Sequence, residues 1–147
     1  METPKRSISL SSPAPRRTPT IEAKTLAALC ASLTQEKKAD NVRVLDVSDR
    51  LKVTDYFVIA TGLNKAHVRA LFNELHVRLK AIGERHQPVE GAELGWWVVL
   101  DYSDVVVHLF QDEARSFYDL EGLYADCGEL DWTTVELPEL PPTQATA

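Results

Sequence analysis

The spacing of hydrophobic and polar positions predicts two long helices. The first begins after an N-cap at Thr20, continues to about Lys38, and carries an apolar stripe of Leu26, Leu29, Cys30 and Leu33. The second begins after a cap at Asn64, ends at Gly83, and carries a stripe of Val68, Leu71, Phe72, Leu75, Leu79 and Ile82. Because residues three or four apart share one side of a helix, each stripe should face a hydrophobic core. Cys30 is therefore expected to be a core residue.

Four further segments have the composition of β-strands. They are Val42–Ser48, Asp55–Thr61, Trp96–Tyr102 and Val105–Gln111, all rich in β-branched or aromatic residues. The second is an almost unbroken apolar run, which is typical of a central strand covered on both faces. Only Ser103 and Asp104 separate the last two segments, so this pair is predicted to form a hairpin.

A short helix and two tails complete the chain. Asp112 is the expected cap of a last helix from Glu113 to about Leu123. The order α-β-β-α-β-β-α, with strands in pairs, predicts an α+β or mixed α/β fold rather than a regular parallel sheet. Residues 1–20 contain four prolines, four serines and four basic residues, so they are expected to be a disordered tail. The domain is then 21–127, followed by an acidic, proline-containing tail over 128–147.

Charge is distributed unevenly along the 147 residues. The net charge is −6, which argues against a protein whose whole surface grips nucleic acid. Residues 1–86 carry 15 of the 16 basic residues and 9 acidic ones, whereas residues 87–147 carry 13 acidic residues and Arg115 alone. The two balances are +6 and −12, so the second half either suits a basic partner or forms a solvated acidic face. No apolar run is long enough for a membrane helix, and two cysteines do not make a disulfide scaffold.

Motifs for catalysis and for cofactor binding are weak or missing. The strand-to-helix turn at Gly62 has one glycine where a phosphate loop needs several, and no GxSxG sequence is present. Asp46 with Asp49, and Asp101 with Asp104, are three residues apart, a spacing that puts the two carboxylates of a strand on opposite faces. None of the four histidines forms the i, i+4 pair of a helical zinc site. We therefore predict no catalytic residue, no cofactor and no metal site.

The hairpin is the most informative element. Pairing Tyr102 with Val105 puts an apolar set on one face, namely Trp96, Val98, Leu100, Tyr102, Val105, Val107 and Leu109. The other face mixes large apolar groups with an acid and a histidine, and it consists of Trp97, Val99, Asp101, Val106, His108 and Phe110. This mixed face is either a second buried layer under a helix or a docking face for a partner, because aromatic anchors beside charged groups are typical of interfaces.

Several short motifs together resemble the ribosomal silencing factor family, also called Iojap-like. The resemblance covers about residues 22–124, including the stretches LDVSDRLKVTDYFVIATGLNKAHVRAL and PVEGAELGWWVVLDYSDVVVHLFQDEARSFYDLEGLY. Its motifs are Asp46-Val47-Ser48, Thr54-Asp55-Tyr56-Phe57-Val58-Ile59, Thr61-Gly62, His67-Val68, Glu90-Gly91, Trp97, Asp101-Tyr102, Asp104-Val105, Val107-His108 and Tyr118-Asp119-Leu120-Glu121. The chain departs from the pattern at Tyr124, where the family usually has tryptophan, and in the additional Trp96.

The resemblance implies a translation repressor rather than an enzyme. Members bind the large ribosomal subunit through its fourteenth protein, block joining of the small subunit, and lower translation when nutrients are scarce. The implied fold is a mixed sheet like that of nucleotidyltransferases, without their catalytic carboxylates. The implied location is the bacterial cytoplasm, with little direct contact to nucleic acid. The sequence leaves the oligomeric state of the free protein open, with a homodimer as one alternative. The family analogy places partner binding on Trp97, Val99, Val106, His108 and Phe110, with Asp101 and Asp104 at the rim.

Two functions from other classes remain open at this level. One is a nucleotidyltransferase-like, metal-dependent enzyme that uses Asp46, Asp49 or Asp55. The other is a generic homodimeric adaptor. The arginine and serine content of residues 1–20 also leaves an organelle transit peptide as a less favoured alternative.

Overall fold

Five strands form one mixed sheet in the computed structural model, which describes residues 21–89 and 91–141. The strands are β1 Asp40–Asp46, β2 Tyr56–Gly62, β3 Trp97–Asp101, β4 Val105–Gln111 and β5 Gly128–Leu130. Their spatial order is β3-β4-β2-β1-β5. β2 and β4 are parallel, and the other neighbouring pairs are antiparallel. The predicted α+β class with a mixed sheet is confirmed.

Helices cover the two faces of this sheet unequally. α1 (Ala23–Glu36) and α2 (Lys65–Lys80) lie on one face, where they bury the larger hydrophobic cluster. α3 (Asp112–Tyr118) and α4 (Leu120–Leu123) lie on the other face and contain only 7 and 4 residues. Such short helices leave the β3–β4 hairpin on that face partly exposed.

The central strand and the helix start follow the sequence prediction. β2 is buried on both sides, because Val58 and Ala60 pack toward α1 and α2 whereas Phe57 and Ile59 pack toward the other face. Asn64 caps α2 by accepting a hydrogen bond from the backbone N–H of His67 at 2.9 Å.

Cys30 lies in the larger cluster, fully buried. Burial raises the pKa of its thiol far above the ordinary value, so the group stays neutral. Its predicted role as a core residue is confirmed.

The C-terminal part of the domain differs from the prediction in two ways. The single last helix is broken at Asp119, whose φ of 47° lies in the left-handed region, and the Asp119 carboxylate caps the N-terminus of α4 at the N–H of Gly122. Residues 128–141, expected as part of a tail, belong to the fold. β5 pairs with β1, and Leu130, Trp132 and Leu140 pack against the larger cluster. The predicted N-terminal tail and the cap at Thr20 lie outside the described residues, and the observed N-cap of α1 is Glu22.

A network of charged side chains holds this C-terminal part in place. The buried Arg115 guanidinium donates to the Thr61 hydroxyl and the Asn41 carbonyl at 2.7 Å each, and to the Glu121 carboxylate at 2.8 and 3.0 Å. Glu121 also accepts from Arg43, which in turn pairs with Glu129 of β5 at 2.7 Å. Hydrogen bonding to Arg115 lowers the pKa of Glu121, so its carboxylate is ionised at neutral pH. The network therefore joins α3 and α4 to the strands β1, β2 and β5.

Candidate functional site

The partly exposed face of the β3–β4 hairpin carries most of the residues singled out in the sequence. The Tyr102 N–H donates to the Val105 carbonyl at 2.8 Å, as the predicted two-residue turn requires. The facing pairs of this surface are Trp97 with Phe110, Val99 with His108, and Asp101 with Val106. The predicted register is confirmed, and it brings these six residues onto one face.

Trp97 is the centre of an aromatic row. Its half-buried ring stacks on Phe110, with ring centroids 4.9 Å apart, and contacts Tyr118 at 4.8 Å. Tyr118 in turn contacts Phe117, which is 78% exposed. Tyr118 and Phe117 were not among the predicted site residues, because only the return of α3 onto the hairpin brings Tyr118 against Trp97 and Phe117 next to Tyr118. The row presents a pre-positioned aromatic surface to solvent.

His108 lies beneath this surface and is held in one tautomer. The Trp97 indole N–H donates to His108 Nδ1 at 3.1 Å, and the ring also contacts Phe57 with centroids 4.6 Å apart. Burial lowers the pKa of His108 to about 4, so the ring is neutral at physiological pH. Because Nδ1 accepts a hydrogen bond, the single ring proton is on Nε2.

Two sequence-based assignments change in the structure. Trp96 was expected on the apolar face together with Val98 and Leu100, but it packs against the smaller cluster on the Trp97 side. It precedes β3 and follows Gly95, whose φ is 64°, so strand alternation does not apply to it. Phe110 lies on the predicted face but is fully buried, in contact with Trp97. In the free protein it supports Trp97 and offers no surface of its own.

A groove of about 450 Å³ opens beside the hairpin. It is lined by Leu51, Val53, Thr54, Phe57, Gln87, Asp101, Ser103, Val106 and His108. Three of these residues, Leu51, Val53 and Thr54, come from the β1–β2 loop, and Val53 is 81% exposed. The loop side of the groove was not predicted, although Thr54 and Phe57 lie in one of the family motifs, because no local pattern in the sequence shows that the loop reaches the hairpin. The groove is thus continuous with the predicted docking face.

The candidate carboxylates lie at strand ends and in the turns that follow them. Asp46 accepts hydrogen bonds from the backbone N–H and hydroxyl of Ser48 at 3.1 and 2.7 Å, and Asp101 accepts from the N–H of Ser103 at 2.8 Å. Asp104 lies at the hairpin turn, where its carbonyl accepts from the N–H of Asp55 at 2.9 Å. Asp101 and Asp104 are half-buried at the rim of the face. Among residues 21–89 and 91–141, no three histidine, cysteine or acidic side chains are grouped as a metal site would require.

Comparisons with known proteins identify the family. The model of the family described as "Ribosomal silencing factor during starvation" matches residues 20–147. A ribosomal silencing factor of Bacillus subtilis is 33% identical over 103 residues, which are 70% of this chain and 87% of that protein. The chain belongs to the ribosomal silencing factor family.

Two further proteins are similar to this chain, one with a solved structure and one with a different name. A crystal structure of a Chromobacterium violaceum protein superposes with a TM-score of 0.68 at 29% identity, covering 86% of this chain and 98% of that one. A mouse protein named mitochondrial assembly of ribosomal large subunit protein 1 is 30% identical over 65% of this chain and 43% of its own length. No helix in the described part of this ribosomal silencing factor family member has the length and apolar character of a membrane span.

Proposed function

We propose that this chain is a translation repressor that binds the large ribosomal subunit and prevents the small subunit from joining. The binding partner on the subunit is its fourteenth protein, and the repression operates when nutrients are limiting. The chain acts by occupying a surface and carries out no chemical reaction. The names of the relatives, which refer to ribosomal silencing and to the ribosomal large subunit, support a ribosomal partner.

The half-buried Trp97, in the middle of the aromatic row at the open end of the partly exposed hairpin face, is the observation that carries this proposal. A large aromatic side chain already held by Phe110, Tyr118 and His108 loses little further freedom on binding, so more of its contact energy contributes to affinity. Aromatic anchors of this kind dominate the energetics of protein interfaces. Val99 and Val106 lie on the same face as partly exposed apolar residues.

Charge and size fit the same function. The −12 balance of residues 87–147 suits a basic ribosomal protein and would accelerate the encounter, with Asp101 and Asp104 at the rim of the contact. A domain of this length has a radius of gyration of about 14 Å. Bound on the face that meets the small subunit, a body of that size would hold the two subunits apart. Contact with nucleic acid is minor in this arrangement.

Before it meets the ribosome, the chain forms a homodimer in the cytoplasm. Exposed apolar groups such as Phe117 and Leu63 supply surface for self-association. Sedimentation of the free protein at several concentrations tests the dimer, and a monomer at every concentration would contradict it.

Co-sedimentation with purified subunits tests the proposed function. The chain should pellet with large subunits, remain in the supernatant with small subunits, and bind the isolated fourteenth large-subunit protein. Binding to neither the large subunit nor this protein would refute the proposal.

A further inference from the structure

Two residues that line the groove beside Trp97 each contain a buried polar atom that lacks a hydrogen-bond partner. The atoms are His108 Nε2 and Thr54 Oγ1, and each residue is only 6% exposed. Within residues 21–89 and 91–141 two further buried polar atoms are unpartnered, Arg78 Nε and Tyr102 Oη, and neither residue lines this groove. Native proteins satisfy most buried polar groups, so two unsatisfied atoms in residues that line one groove suggest that something else completes them.

The hydrogen bond from Trp97 defines what His108 can offer to a ligand. Since Nδ1 accepts the indole N–H, Nε2 carries the proton and is a donor. The ring edge that bears Nδ1 is occupied by Trp97, and His108 lines the groove with Nε2 buried and without a partner, so a ligand in the groove would have to be met by Nε2. The matching group on the ligand is a hydrogen-bond acceptor. The Thr54 hydroxyl can donate to the same ligand or accept from it.

The rest of the groove suits a peptide segment with a basic side chain. Phe57 and Val106 provide an apolar wall, Val53 an exposed apolar rim, and Asp101 a carboxylate at the hairpin end. Asp101 uses one oxygen for the Ser103 N–H, and the remaining lone pairs can accept from a cation. A lysine or arginine places its aliphatic stem on an apolar wall and its charged end on a carboxylate.

We propose that the groove takes an extended loop of the basic ribosomal partner, with a backbone carbonyl accepting from His108 Nε2–H and Thr54, and a lysine or arginine reaching Asp101. This inference rests on the proposed function and adds the chemistry of the partner segment. His108 then has two linked roles. It orients the indole of Trp97 by accepting its N–H at Nδ1, and it donates a hydrogen bond from Nε2 to the partner backbone. The aromatic anchor and the groove form one continuous recognition surface.

The substitution Thr54→Val tests whether the Thr54 hydroxyl forms a hydrogen bond with the partner. It removes the unpartnered hydroxyl with almost no change of shape, so the free protein should be at least as stable as the parent. The affinity for isolated large subunits should fall about tenfold, since one hydrogen bond to the partner is lost. The matched control is Thr34→Val on α1, where the hydroxyl donates to the Ala31 carbonyl at 2.9 Å. That variant should lose stability and keep the parent affinity.

Two substitutions of His108 test the donor itself. His108→Gln keeps an N–H at the far end of the side chain and should retain most of the affinity. His108→Phe keeps the ring and removes the donor, so its affinity should fall at least tenfold below that of His108→Gln. Denaturant melts show whether both variants are folded. If His108→Phe does not fold, the affinity of Thr54→Val for large subunits decides whether the groove binds the partner.

Each result has a defined meaning. Parent-like affinity in folded Thr54→Val and His108→Phe, with weak binding by Trp97→Ala, would overturn the groove assignment and leave the proposed function standing. No binding by the parent would overturn both. Stabilisation of the free protein by a small carboxylate or amide that leaves its affinity for the isolated fourteenth protein unchanged would place a small molecule in the groove and also overturn it.

Discussion

Replacing Trp97 by alanine distinguishes a docking residue from a purely structural one. The substitution removes the indole ring that covers Phe110 and contacts Tyr118, and it removes the hydrogen bond to His108. Both the affinity for the ribosomal partner and the free energy of unfolding should decrease, and the contacts of Trp97 allow the two losses to be estimated separately.

The structural part of the loss is moderate. Each of the two aromatic contacts contributes about 0.5–1.5 kcal/mol beyond burial, and the hydrogen bond about 0.5–1.5 kcal/mol. These contributions together give an expected loss of unfolding free energy of about 1.5–4.5 kcal/mol, with a middle value of about 3 kcal/mol, at the lower end of the roughly 3–5 kcal/mol for a fully buried tryptophan. Domains are commonly stable by about 5–15 kcal/mol, so the variant should remain folded.

The loss of affinity should be larger than folding alone would cause. An interface anchor contributes at least about 2 kcal/mol, which corresponds to roughly thirtyfold in the dissociation constant. The assay is a denaturant melt of each variant beside its affinity for the isolated ribosomal partner. Trp132→Ala is the control, because this tryptophan packs against the helix-side cluster. It should lose stability and keep its affinity, whereas a Trp97→Ala protein that binds like the parent would refute the docking assignment.

Three further changes have defined outcomes. Replacing both Asp101 and Asp104 by lysine should slow association with the ribosomal partner and weaken its salt dependence, and stopped-flow rates at two salt concentrations that match the parent would contradict this. The pKa of His108 is depressed from 6.5 to about 4, so the unfolded chain binds a proton in this range whereas the folded chain does not. The contribution of the neutral ring to the free energy of unfolding is therefore complete above pH 6.5 and is lost as the pH falls toward 4. Between pH 7.5 and pH 5 the parent should lose about 2 kcal/mol more unfolding free energy than His108→Gln, and equal losses in urea melts would disprove the buried neutral ring. Arg115→Met leaves the Glu121 carboxylate without its main partner and should cost about 3 kcal/mol of stability without changing affinity, a separation that melts and binding assays can check.

The hairpin could be predicted because its signals are local. Two β-branched runs flank the two-residue turn Ser103-Asp104, and that turn fixes which residues face each other. The buried central strand was predictable for the same reason, since the almost unbroken apolar run of Asp55–Thr61 is typical of a strand covered on both faces. The pairing of Trp97, His108 and Phe110 on one face followed directly.

The groove and the last strand depend on contacts between distant segments. β5 has three residues and no alternation, and its pairing with β1 is supported by the Arg43–Glu129 ion pair, across 86 positions of the chain. Thr54 reaches the hairpin only because β2 and β4 are parallel neighbours, a pairing that a one-dimensional pattern does not contain. Trp96 was misplaced because strand alternation was extended one residue beyond the start of β3.

The joining of ribosomal subunits, followed by light scattering, tests the central claim most directly. Purified small and large subunits are mixed with increasing amounts of the chain, beside the Trp97→Ala variant at the same concentrations. The account predicts that the parent lowers the scattering increase in proportion to the large subunits it occupies, and that the variant requires at least about thirtyfold more protein for the same effect. Unchanged subunit association at saturating parent protein would contradict the account.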